Sequence, residues 1–543
     1  MQPELIRLFL QRVKINPDKA AFHFLQDSGK SIELTYQNLY EKSGAVARIL
    51  EQRKNDSATR ALLIYSPGVD FIIALFACFL SSITAIPIAI PRPRTKELFL
   101  HFLNHANPHF ILTSANHETR IKKLIPDDIA SNQFIITDTI PQTDEDYMPQ
   151  NTANEIALIQ YTSGTTTQPK GVMITFDGLA HNLRAIQQHF QLHEKSVCFS
   201  WLPHYHDMGL IDGILTPLFN DCRGILCSPS YIISNPTRWL KVINLYQVTH
   251  TGGPNFFFDL CSKRISPTIA KEFDLKSLTH VYVSAEPVRK KTLEKFAALF
   301  SASSFQLNLF TPGYGLAEAT LMVTCKTPNS SLHFYVEKGQ EYVGLGKPIP
   351  GMVIKILDPT TQQEISEGEV GEICLCGPSV APGYYADKEK TSQAFVSLPT
   401  KGEIHRFLRT GDLGIMEKGE LFVVGRITDT LLIRGLKYAP EDLEYIITQS
   451  HLALSASTST VFTINQDDEE KIVVLQELKK IHDRHDLESI RNSIKDSIYQ
   501  ALGLTVFDII LLPEGSILKT TSGKIKRSDT RIKYMQGKFS EAL

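Results

Sequence analysis

Short apolar runs alternate with longer helical patterns through the first part of the chain. The runs at residues 61–65, 85–90, 109–113, 133–137 and 156–161 are bounded by turn residues, which is typical of buried strands. Further strands are predicted in VCFSWLP, GILCSP, VTHTGG and HVYVSAEP, with helices between them. Strands that alternate with helices predict parallel sheets covered on both faces, and hence an α/β fold.

The pattern changes after about residue 353. VIKIL, GEICLCG and ELFVVGR are short strands separated by Gly, Pro and Asp, which predicts a small, mainly antiparallel β subdomain. After Gly425 come the LLIRG run, a helix beginning near Pro440, strands at TVFTI and KIVVLQEL, and a helix over about 486–501. This final unit of roughly 115 residues is large enough to fold as its own α+β domain.

Residues 71–90, FIIALFACFLSSITAIPIAI, form an uncharged stretch that could be taken for a membrane span. We interpret it as a helix that ends near Leu80, a break at Ser81, and the strand at 85–90, because Pro87 argues against one continuous helix. The N-terminal pattern is an amphipathic helix interrupted by charge, without the uncharged core of a secretory signal. We therefore expect no transmembrane segment and a cytoplasmic protein.

Composition restricts the function further. Of 543 residues, 43% are hydrophobic and 21% charged, as in globular proteins. Lys and Arg number 56 against 58 Asp and Glu, so the formal net charge of -2 argues against a general affinity for nucleic acid. The eight cysteines are scattered without zinc-ligand spacing, which favours buried, reduced thiols.

The segment that follows the 156–161 strand combines small hydroxyl residues with glycine and lysine. It reads TSGTTTQPKG and ends with Lys170 and Gly171. Backbone N–H groups and hydroxyls in such a loop can converge on one anion, and the lysine adds a positive charge, so the loop suits phosphate oxygens. It is not a Walker A loop, because no Gly-Lys-Ser/Thr triplet follows. A polar surface loop is the alternative interpretation.

Three later stretches carry other candidate groups. TPGYGLAEAT places Tyr314 between two glycines, where it could stack on a flat ring, with Glu318 available for a hard cation. RTGDLG places Asp412 after a predicted glycine turn, where its carboxylate could accept hydrogen bonds from a diol. KTTSGKIKRS places Lys524 in a Ser/Gly loop. In the alternative interpretation, Tyr314 is a core aromatic, Glu318 a solvated helix residue, Asp412 a turn former and Lys524 an exposed lysine.

Together and in this order, the motifs resemble those of the acyl-adenylate-forming superfamily. They are YTSGTTTQPKGV, LPHYHDMGLI, VSAEPV, GYGLAEAT, GEICLCGPSVAPGYY, RTGDLG, GRITDTLLIRG and SGKIKR. LPHYHDMGLIDGILTPL, THTGGPNFFFDLC and PEGSILKTTSGKIKRS are similar to fatty acyl-AMP ligases in particular. The resemblance implies an N-terminal domain over 1–425, with two parallel-sheet α/β subdomains and a small β subdomain, and a mobile C-terminal α+β domain over 426–543.

The resemblance also implies a role for each candidate residue. Asp412 and Arg426 would bind the ribose, Glu318 would hold Mg²⁺, and Lys524 would reach across the domain interface to the reacting carboxylate and the α-phosphate. His206 would lie by the acyl carboxylate; a core histidine satisfied by Asp207 is the alternative. The ATP phosphates and the adenine would be held by two further sets: Thr162, Ser163, Gly164, Thr165, Thr166, Thr167 and Lys170; and Ser284, Ala285, Glu286, Pro287, Gly313, Tyr314 and Gly315.

An acyl chain needs an apolar tunnel. The helix predicted after Asp207 offers Met208 and Ile211, and the THTGGPNFFF stretch offers Gly253 and Phe256. These residues could line such a tunnel, and plain hydrophobic core is the alternative. The chemistry needs no enzyme nucleophile, which is consistent with the absence of a Gly-x-Ser-x-Gly motif.

The sequence departs from the family pattern at three places: Thr167, Thr428 in the hinge, and the short 321–343 link. In the region of this link, fatty acyl-AMP ligases carry an insertion that is associated with refusing coenzyme A. The expected activity is adenylation of a medium- or long-chain fatty acid with ATP and Mg²⁺. The expected partner is a free acyl carrier protein, or a carrier domain of a polyketide or nonribosomal synthase. A fatty acyl-CoA synthetase and a degenerate nucleotide or lipid sensor remain the alternatives.

Overall fold

The secondary structure follows the predicted alternation of strands and helices. The computed structural model describes residues 2–54, 59–125, 133–141, 147, 149, 155–162, 169–337, 340–400, 402–433, 436–466, 469–479, 487–520 and 524–539. Its α-helices are α1 (Glu4–Ile15), α2 (Tyr36–Arg53), α3 (Val69–Leu80), α4 (Lys96–Ala106), α5 (Ala115–Lys122), α6 (Phe176–Phe190), α7 (Thr216–Phe219), α8 (Pro229–Ser234), α9 (Thr237–Tyr246), α10 (Asn255–Arg264), α11 (Pro267–Ala270), α12 (Lys290–Leu299), α13 (Lys388–Ala394), α14 (Pro440–Ser450), α15 (Leu487–Leu502) and α16 (Arg527–Met535).

The strands that it describes are β1 (Ala20–Leu25), β2 (Ser31–Thr35), β3 (Arg60–Ile64), β4 (Thr84–Ile88), β5 (Phe110–Thr113), β6 (Phe134–Ile136), β7 (Ile156–Tyr161), β8 (Gly171–Thr175), β9 (Val197–Ser200), β10 (Arg223–Cys227), β11 (His250–Gly253), β12 (His280–Val283), β13 (Phe310–Gly315), β14 (Met322–Cys325), β15 (Phe334–Glu337), β16 (Gln340–Val343), β17 (Lys347–Pro348), β18 (Val353–Leu357), β19 (Gly371–Cys376), β20 (Phe395–Thr400), β21 (Glu403–Glu417), β22 (Glu420–Arg426), β23 (Leu431–Ile433), β24 (Leu436–Tyr438), β25 (Leu454–Gln466), β26 (Glu469–Leu478) and β27 (Val506–Leu512).

The first sheet has the strand order β6-β5-β3-β4-β7-β8, and its strands are parallel except for β8. Both faces are buried. Ala61 and Leu63 of β3 join the largest hydrophobic core, whereas Leu62 and Ile64 join a second core on the opposite face. Because side chains alternate along a strand, a strand buried on both sides must be apolar throughout, as the 61–65 run is.

The second sheet has the order β17-β14-β13-β12-β11-β9-β10-β1-β2. Its six central strands, β13 to β1 in that order, are parallel, and β2, β14 and β17 are antiparallel to their neighbours. The first half of the uncharged 71–90 stretch is α3, in which every residue from Phe71 to Leu80 is buried, and the strand β4 follows. Among the helices of the described residues, none is both long and apolar enough to cross a bilayer.

A small antiparallel sheet, β18-β19-β21-β20 with β22 paired to β21, follows as predicted. The C-terminal unit contains the sheet β25-β26-β27 with a hydrophobic core on each face. Val474 of β26 belongs to one of these cores, and its neighbours Val473 and Leu475 belong to the other. The predicted mixed α/β fold with parallel sheets and a C-terminal domain is therefore confirmed.

The helix predicted after Asp207 is present over Met208–Leu215 and is a π-helix. Helical turns of this kind are rare and frequently lie at functional sites. One local prediction was wrong. Asp412 does not follow a turn, because RTGDLG lies inside the long strand β21. Gly411, at φ +73°, supplies a left-handed backbone position within that strand.

Candidate active site

Most of the predicted site residues lie beyond the carboxyl ends of neighbouring strands. Thr162 follows β7, His206 follows β9, and Phe256 follows β11. Ser284 follows β12 and Glu318 follows β13. In open α/β sheets ligands bind beyond the carboxyl ends of the strands. The topology of the two sheets therefore brings these residues to the edge where a ligand site is expected.

Asp412 is buried and is hydrogen-bonded to both Tyr314, which is also buried, and Arg426, which is partly exposed. The Tyr314 hydroxyl donates to Asp412 Oδ2 at 2.7 Å, and Arg426 Nε donates to Asp412 Oδ1 at 2.6 Å. Asp412 and Arg426 are register partners on β21 and β22, so the sheet itself brings them together. Burial, followed by the negative charge of Asp412, raises the pKa of Tyr314 well above its usual value. The tyrosine is thus a neutral hydrogen-bond donor to a fixed carboxylate.

The glycines on either side of Tyr314 have a structural cause that the sequence did not indicate. A Cβ at Gly315 would lie 1.9 Å from the carbonyl oxygen of Leu321, and a Cβ at Gly313 would lie 2.9 Å from that of Thr324. In both cases the added Cβ would meet backbone atoms, either of β14 or of the residue just before it, so the close packing of the chain requires glycine at these two positions. The prediction that these glycines line an adenine remains a prediction.

Glu318 lies beside Tyr384 and Lys170. The Tyr384 hydroxyl donates to Glu318 Oε1 at 3.1 Å, and Lys170 Nζ lies 4.7 Å from the centroid of the Tyr384 ring. Burial raises the pKa of Glu318, while the positive charges of Lys170 and Arg426 oppose that shift. Tyr384 lies in the APGYY part of a quoted motif, but no role was predicted for it.

The backbone next to Glu318 is strained. Thr320 has φ +69° and ψ −65°, a γ-turn conformation that is rare for a residue with a side chain. The Leu321 N–H donates to the Ala319 carbonyl oxygen at 2.9 Å and closes this turn. The Thr320 hydroxyl donates to the Ser379 carbonyl oxygen at 2.8 Å and anchors it. These bonds hold Glu318 in a defined position.

The predicted phosphate loop is described only at its ends. The Thr162 N–H donates to the Lys170 carbonyl oxygen at 3.0 Å, so the two ends of the loop meet. The predictions that fall outside the described residues concern Ser163, Gly164, Thr165, Thr166 and Thr167.

Lys524, from the C-terminal unit, interacts electrostatically with charged groups that follow strands of the second sheet or lie on the small β sheet. The chain before Lys524 is hydrogen-bonded to the chain that begins with it: the Thr520 N–H donates to the Lys524 carbonyl oxygen at 2.7 Å, and the Lys526 N–H donates to the Leu518 carbonyl oxygen at 2.8 Å. Removal from bulk water lowers the pKa of the amine, and Arg426 lowers it further. Asp207, Asp412 and Glu286 act on the pKa in the opposite direction. The residue as a whole keeps exposed surface.

The predicted adenine loop, Ser284 to Pro287, is joined to two neighbouring segments. The Ser284 hydroxyl donates to the Gly313 carbonyl oxygen at 2.8 Å, and the Phe256 N–H donates to Glu286. Ala285, at φ +72°, has a left-handed conformation that is uncommon for a non-glycine residue, and it is exposed, as is Pro287. Burial raises the pKa of Glu286 to about 7, while Lys524 is among the charges that oppose the shift.

His206 is a neutral imidazole at neutral pH. Burial lowers its pKa to about 4; Asp207 opposes this shift, and the charge of Lys524 adds to it. Nε2 of His206 is buried and has no hydrogen-bond partner among the described residues. Asp207 Oδ1 accepts from the Met208 N–H at 2.8 Å, as a cap of the π-helix. We infer that a carboxylate could use this free nitrogen of His206.

The four predicted acyl-binding residues differ in exposure. Met208 is 9% exposed and Ile211 is completely buried, so Ile211 has the core packing that was the alternative interpretation. Phe256 is half-buried at the start of α10, beside the Glu286 carboxylate. Gly253 is buried, and a Cβ there would lie 2.7 Å from the ring of Trp201, a residue that sequence analysis did not identify.

The mixed α/β fold with its C-terminal domain matches that of adenylate-forming enzymes. A family model described as AMP-binding enzyme matches residues 9–385, and one described as Disco-interacting protein 2-like, AMP domain, matches residues 428–542. The chain belongs to the AMP-binding enzyme family.

Similar proteins agree with the predicted resemblance. The medium-chain-fatty-acid–[acyl-carrier-protein] ligase JamA of Moorena producens is 34% identical, with 99% of this chain and 96% of that protein covered. The protein fadD21 of Mycobacterium leprae, whose name provisionally describes a fatty-acid–CoA ligase, is 31% identical with 99% of each chain covered. The structure of the fatty acyl-adenylate ligase of Legionella pneumophila in complex with acyl adenylate and pyrophosphate is 33% identical, with a TM-score of 0.75 and coverages of 98% and 96%. The resemblance to fatty acyl-AMP ligases is confirmed.

Proposed function

We propose that this protein activates a medium- or long-chain fatty acid with ATP to an acyl-adenylate and pyrophosphate, and passes the acyl group to a carrier protein. The names of the similar ligases support the substrate and the carrier. The observation that carries the proposal is that the charge of Lys524 acts on His206 and Glu286, while Asp412 and Arg426 act on Lys524. A lysine on the C-terminal unit thus lies within electrostatic range of residues predicted for the nucleotide and for the acyl carboxylate.

In the first step an oxygen of the fatty carboxylate forms a bond to the α-phosphorus of ATP. The bond from that phosphorus to the bridging oxygen breaks, and pyrophosphate leaves with the electron pair. The barrier comes largely from bringing two anions together while charge grows on the leaving group. Lys524 would neutralise this charge, and Lys170 would hold the phosphates. In the second step a phosphopantetheine thiol attacks the acyl carbonyl, and AMP leaves.

The remaining residues would bind and orient the substrates. Asp412 would accept the ribose hydroxyls while the hydrogen bond from Arg426 holds its carboxylate in place. Tyr314 would present its ring to the adenine, opposite Ser284 and the loop that follows it. His206 would approach the fatty carboxylate as a neutral ring, so it would not repel Lys524.

Glu318 fits a magnesium site of the kind that ATP enzymes use. Mg²⁺ is usually held by one or two carboxylates together with substrate phosphates and water. No cluster of three or more His, Cys, Asp or Glu side chains suited to a metal is present in the part of the chain that the structure describes, so a metal here would depend on ATP for its other ligands. Glu318 is half-buried and lies within electrostatic range of Lys170 at the end of the predicted phosphate loop. The ion, when bound, would neutralise phosphate charge.

We also propose that residues 1–425 and 426–543 act as separate units. The core of the C-terminal unit contains residues from Leu431 onward, whereas the largest core ends with Leu421. A boundary near Arg426 would let the unit that carries Lys524 move relative to the rest. The short stretch from Ile427 to Thr430 would be the hinge.

A pyrophosphate-release assay with saturated fatty acids of increasing length tests the proposed function. We expect release that depends on both ATP and fatty acid, with a maximum at one chain length. Adding coenzyme A or a phosphopantetheinylated carrier protein then separates the two ligase activities. Thioester formation on the carrier, with acyl-adenylate accumulating in the presence of coenzyme A, supports the proposal. Rapid acyl-CoA formation would instead identify an acyl-CoA synthetase, and no release with any acid would favour a sensor.

Replacing Asp412 by asparagine tests the ribose assignment. The amide keeps the shape and can still accept from Tyr314, but it loses the negative charge that Arg426 and two ribose hydroxyls would share. We expect about a tenfold rise in the KM for ATP, equivalent to about 1.4 kcal/mol, with the KM for fatty acid unchanged. Tyr314→Phe, which removes only one donor, should have a smaller effect. An unchanged KM for ATP in Asp412→Asn would contradict the assignment.

A further inference from the structure

Arg289 connects the predicted adenine loop to the C-terminal unit. Its guanidinium donates to Asp442 Oδ1 at 2.8 Å and to the Glu441 carbonyl oxygen at 3.1 Å, both on α14. The same group lies 5.1 Å from the centroid of the Tyr445 ring. The Arg289 side chain is 14% exposed and the Asp442 side chain 6%, so this ion pair is shielded from water and salt.

The backbone of Arg289 is hydrogen-bonded to α10, the helix that carries the predicted acyl-binding residue Phe256. The Arg289 N–H donates to Asn255 Oδ1 at 2.9 Å, and Asn255 begins α10. Three residues earlier in the same loop, Glu286 accepts from the Phe256 N–H. The loop that follows β12 is therefore fixed on α10 before the Arg289 side chain reaches α14.

From α14 a second arginine leads to the catalytic candidate. Arg527 NH1 donates to Asp429 at 2.6 Å, and NH2 donates to Glu441 at 3.2 Å and to Glu444 at 2.9 Å. Arg527 comes only three residues after Lys524 in the sequence. The position of α14 therefore determines where Lys524 stands.

These contacts form one continuous path from the adenine loop to the lysine. Within the described residues, the side-chain hydrogen bonds between residues before the hinge and α14 both come from Arg289. We propose that Arg289 is a positioning residue for adenylation, which fastens α14 to the loop after β12 and thereby sets Lys524 over the reacting groups. The proposal rests on the proposed function, because the adenylation step is what Lys524 would serve.

Arg289→Ala tests this proposal through the split between kcat and KM. We expect the kcat for pyrophosphate release to fall about tenfold, because a displaced catalytic group slows the chemistry. The KM values for ATP and for fatty acid should stay within about twofold, because the guanidinium contacts α14 and not the substrate sites. Asp442→Ala, which removes the partner on the other side of the hinge, should have the same effect.

The double variant and a neighbouring control sharpen the test. If both residues act through one contact, Arg289→Ala combined with Asp442→Ala should lower kcat no further than the stronger single variant. Lys290→Ala is the matched control, because Lys290 forms a 2.8 Å ion pair with Glu341, which also lies before the hinge. It should retain the wild-type kcat.

The outcomes separate this proposal from the proposed function. Absence of fatty-acid-dependent pyrophosphate release in the wild-type protein would refute the function itself. With an active wild type, an unchanged kcat in Arg289→Ala, effects that multiply in the double variant, or a rise only in the KM for ATP would each overturn the role of Arg289. If Arg289→Ala does not fold, Asp442→Asn, which keeps the size of the side chain, carries the same kcat and KM comparison.

Discussion

Replacing Lys524 by alanine is expected to lower the rate of acyl-adenylate formation about a hundredfold while the protein remains folded. The amine lies within electrostatic range of Asp412, Glu286 and Asp207. Loss of one such group at a site of developing charge commonly costs on the order of 3 kcal/mol in the barrier, which is about a hundredfold in rate. The measurement is single-turnover pyrophosphate release with saturating ATP and fatty acid.

Lys519→Ala is a suitable control for this experiment. Lys519 is exposed and is the antiparallel bridge partner of Ile525, the residue after Lys524. It should retain near-normal release, and both variants should unfold at the wild-type temperature, because neither side chain contributes to a hydrophobic core. Near-normal release in Lys524→Ala would show that another group stabilises the transition state.

The local patterns of the sequence were sufficient for most of the fold. The strand predicted at 156–161 and the helix predicted at 176–190 match β7 and α6. In α6 the Thr175 hydroxyl accepts from the Gly178 N–H and caps the helix, a signal that lies within three residues of sequence. The uncharged 71–90 stretch divides into α3 and β4 because Ser81 and Ser82 interrupt it, as predicted.

Features that depend on distant residues could not be predicted in the same way. The π-helix after Asp207 packs against the preceding loop, where a Cβ at Gly209 would lie 2.1 Å from the Pro203 carbonyl oxygen. Asp412 lies in a long strand because β19 and β22 pair with it on either side, and the local Gly-Asp sequence indicates only a turn. Arg289 has no motif of its own, and its importance depends on α14, more than 150 residues later.

Replacing Gly315 by alanine should disable adenylation about as severely as losing Lys524. The new Cβ would lie 1.9 Å from the Leu321 carbonyl oxygen and 2.8 Å from its carbon, and both are backbone atoms that no side-chain rotation can move. The Leu316 N–H donates to that oxygen at 3.1 Å, so separating the segments would break this bond and disturb the strained turn at Thr320. Glu318 lies in the segment that the Leu316–Leu321 hydrogen bond closes, and Tyr314 immediately precedes Gly315.

We therefore expect a loss of about a hundredfold in pyrophosphate release for Gly315→Ala, because a shift of about 1 Å in positioning residues is enough for that effect. A free energy of unfolding lower by about 1–3 kcal/mol should accompany it. Gly68→Ala is the control, because the nearest atom to its new Cβ is 3.9 Å away. If Gly315→Ala kept wild-type release, the rigid connection between Tyr314 and Glu318 would not be needed for adenylation, and the close packing of β13 against β14 would serve stability alone.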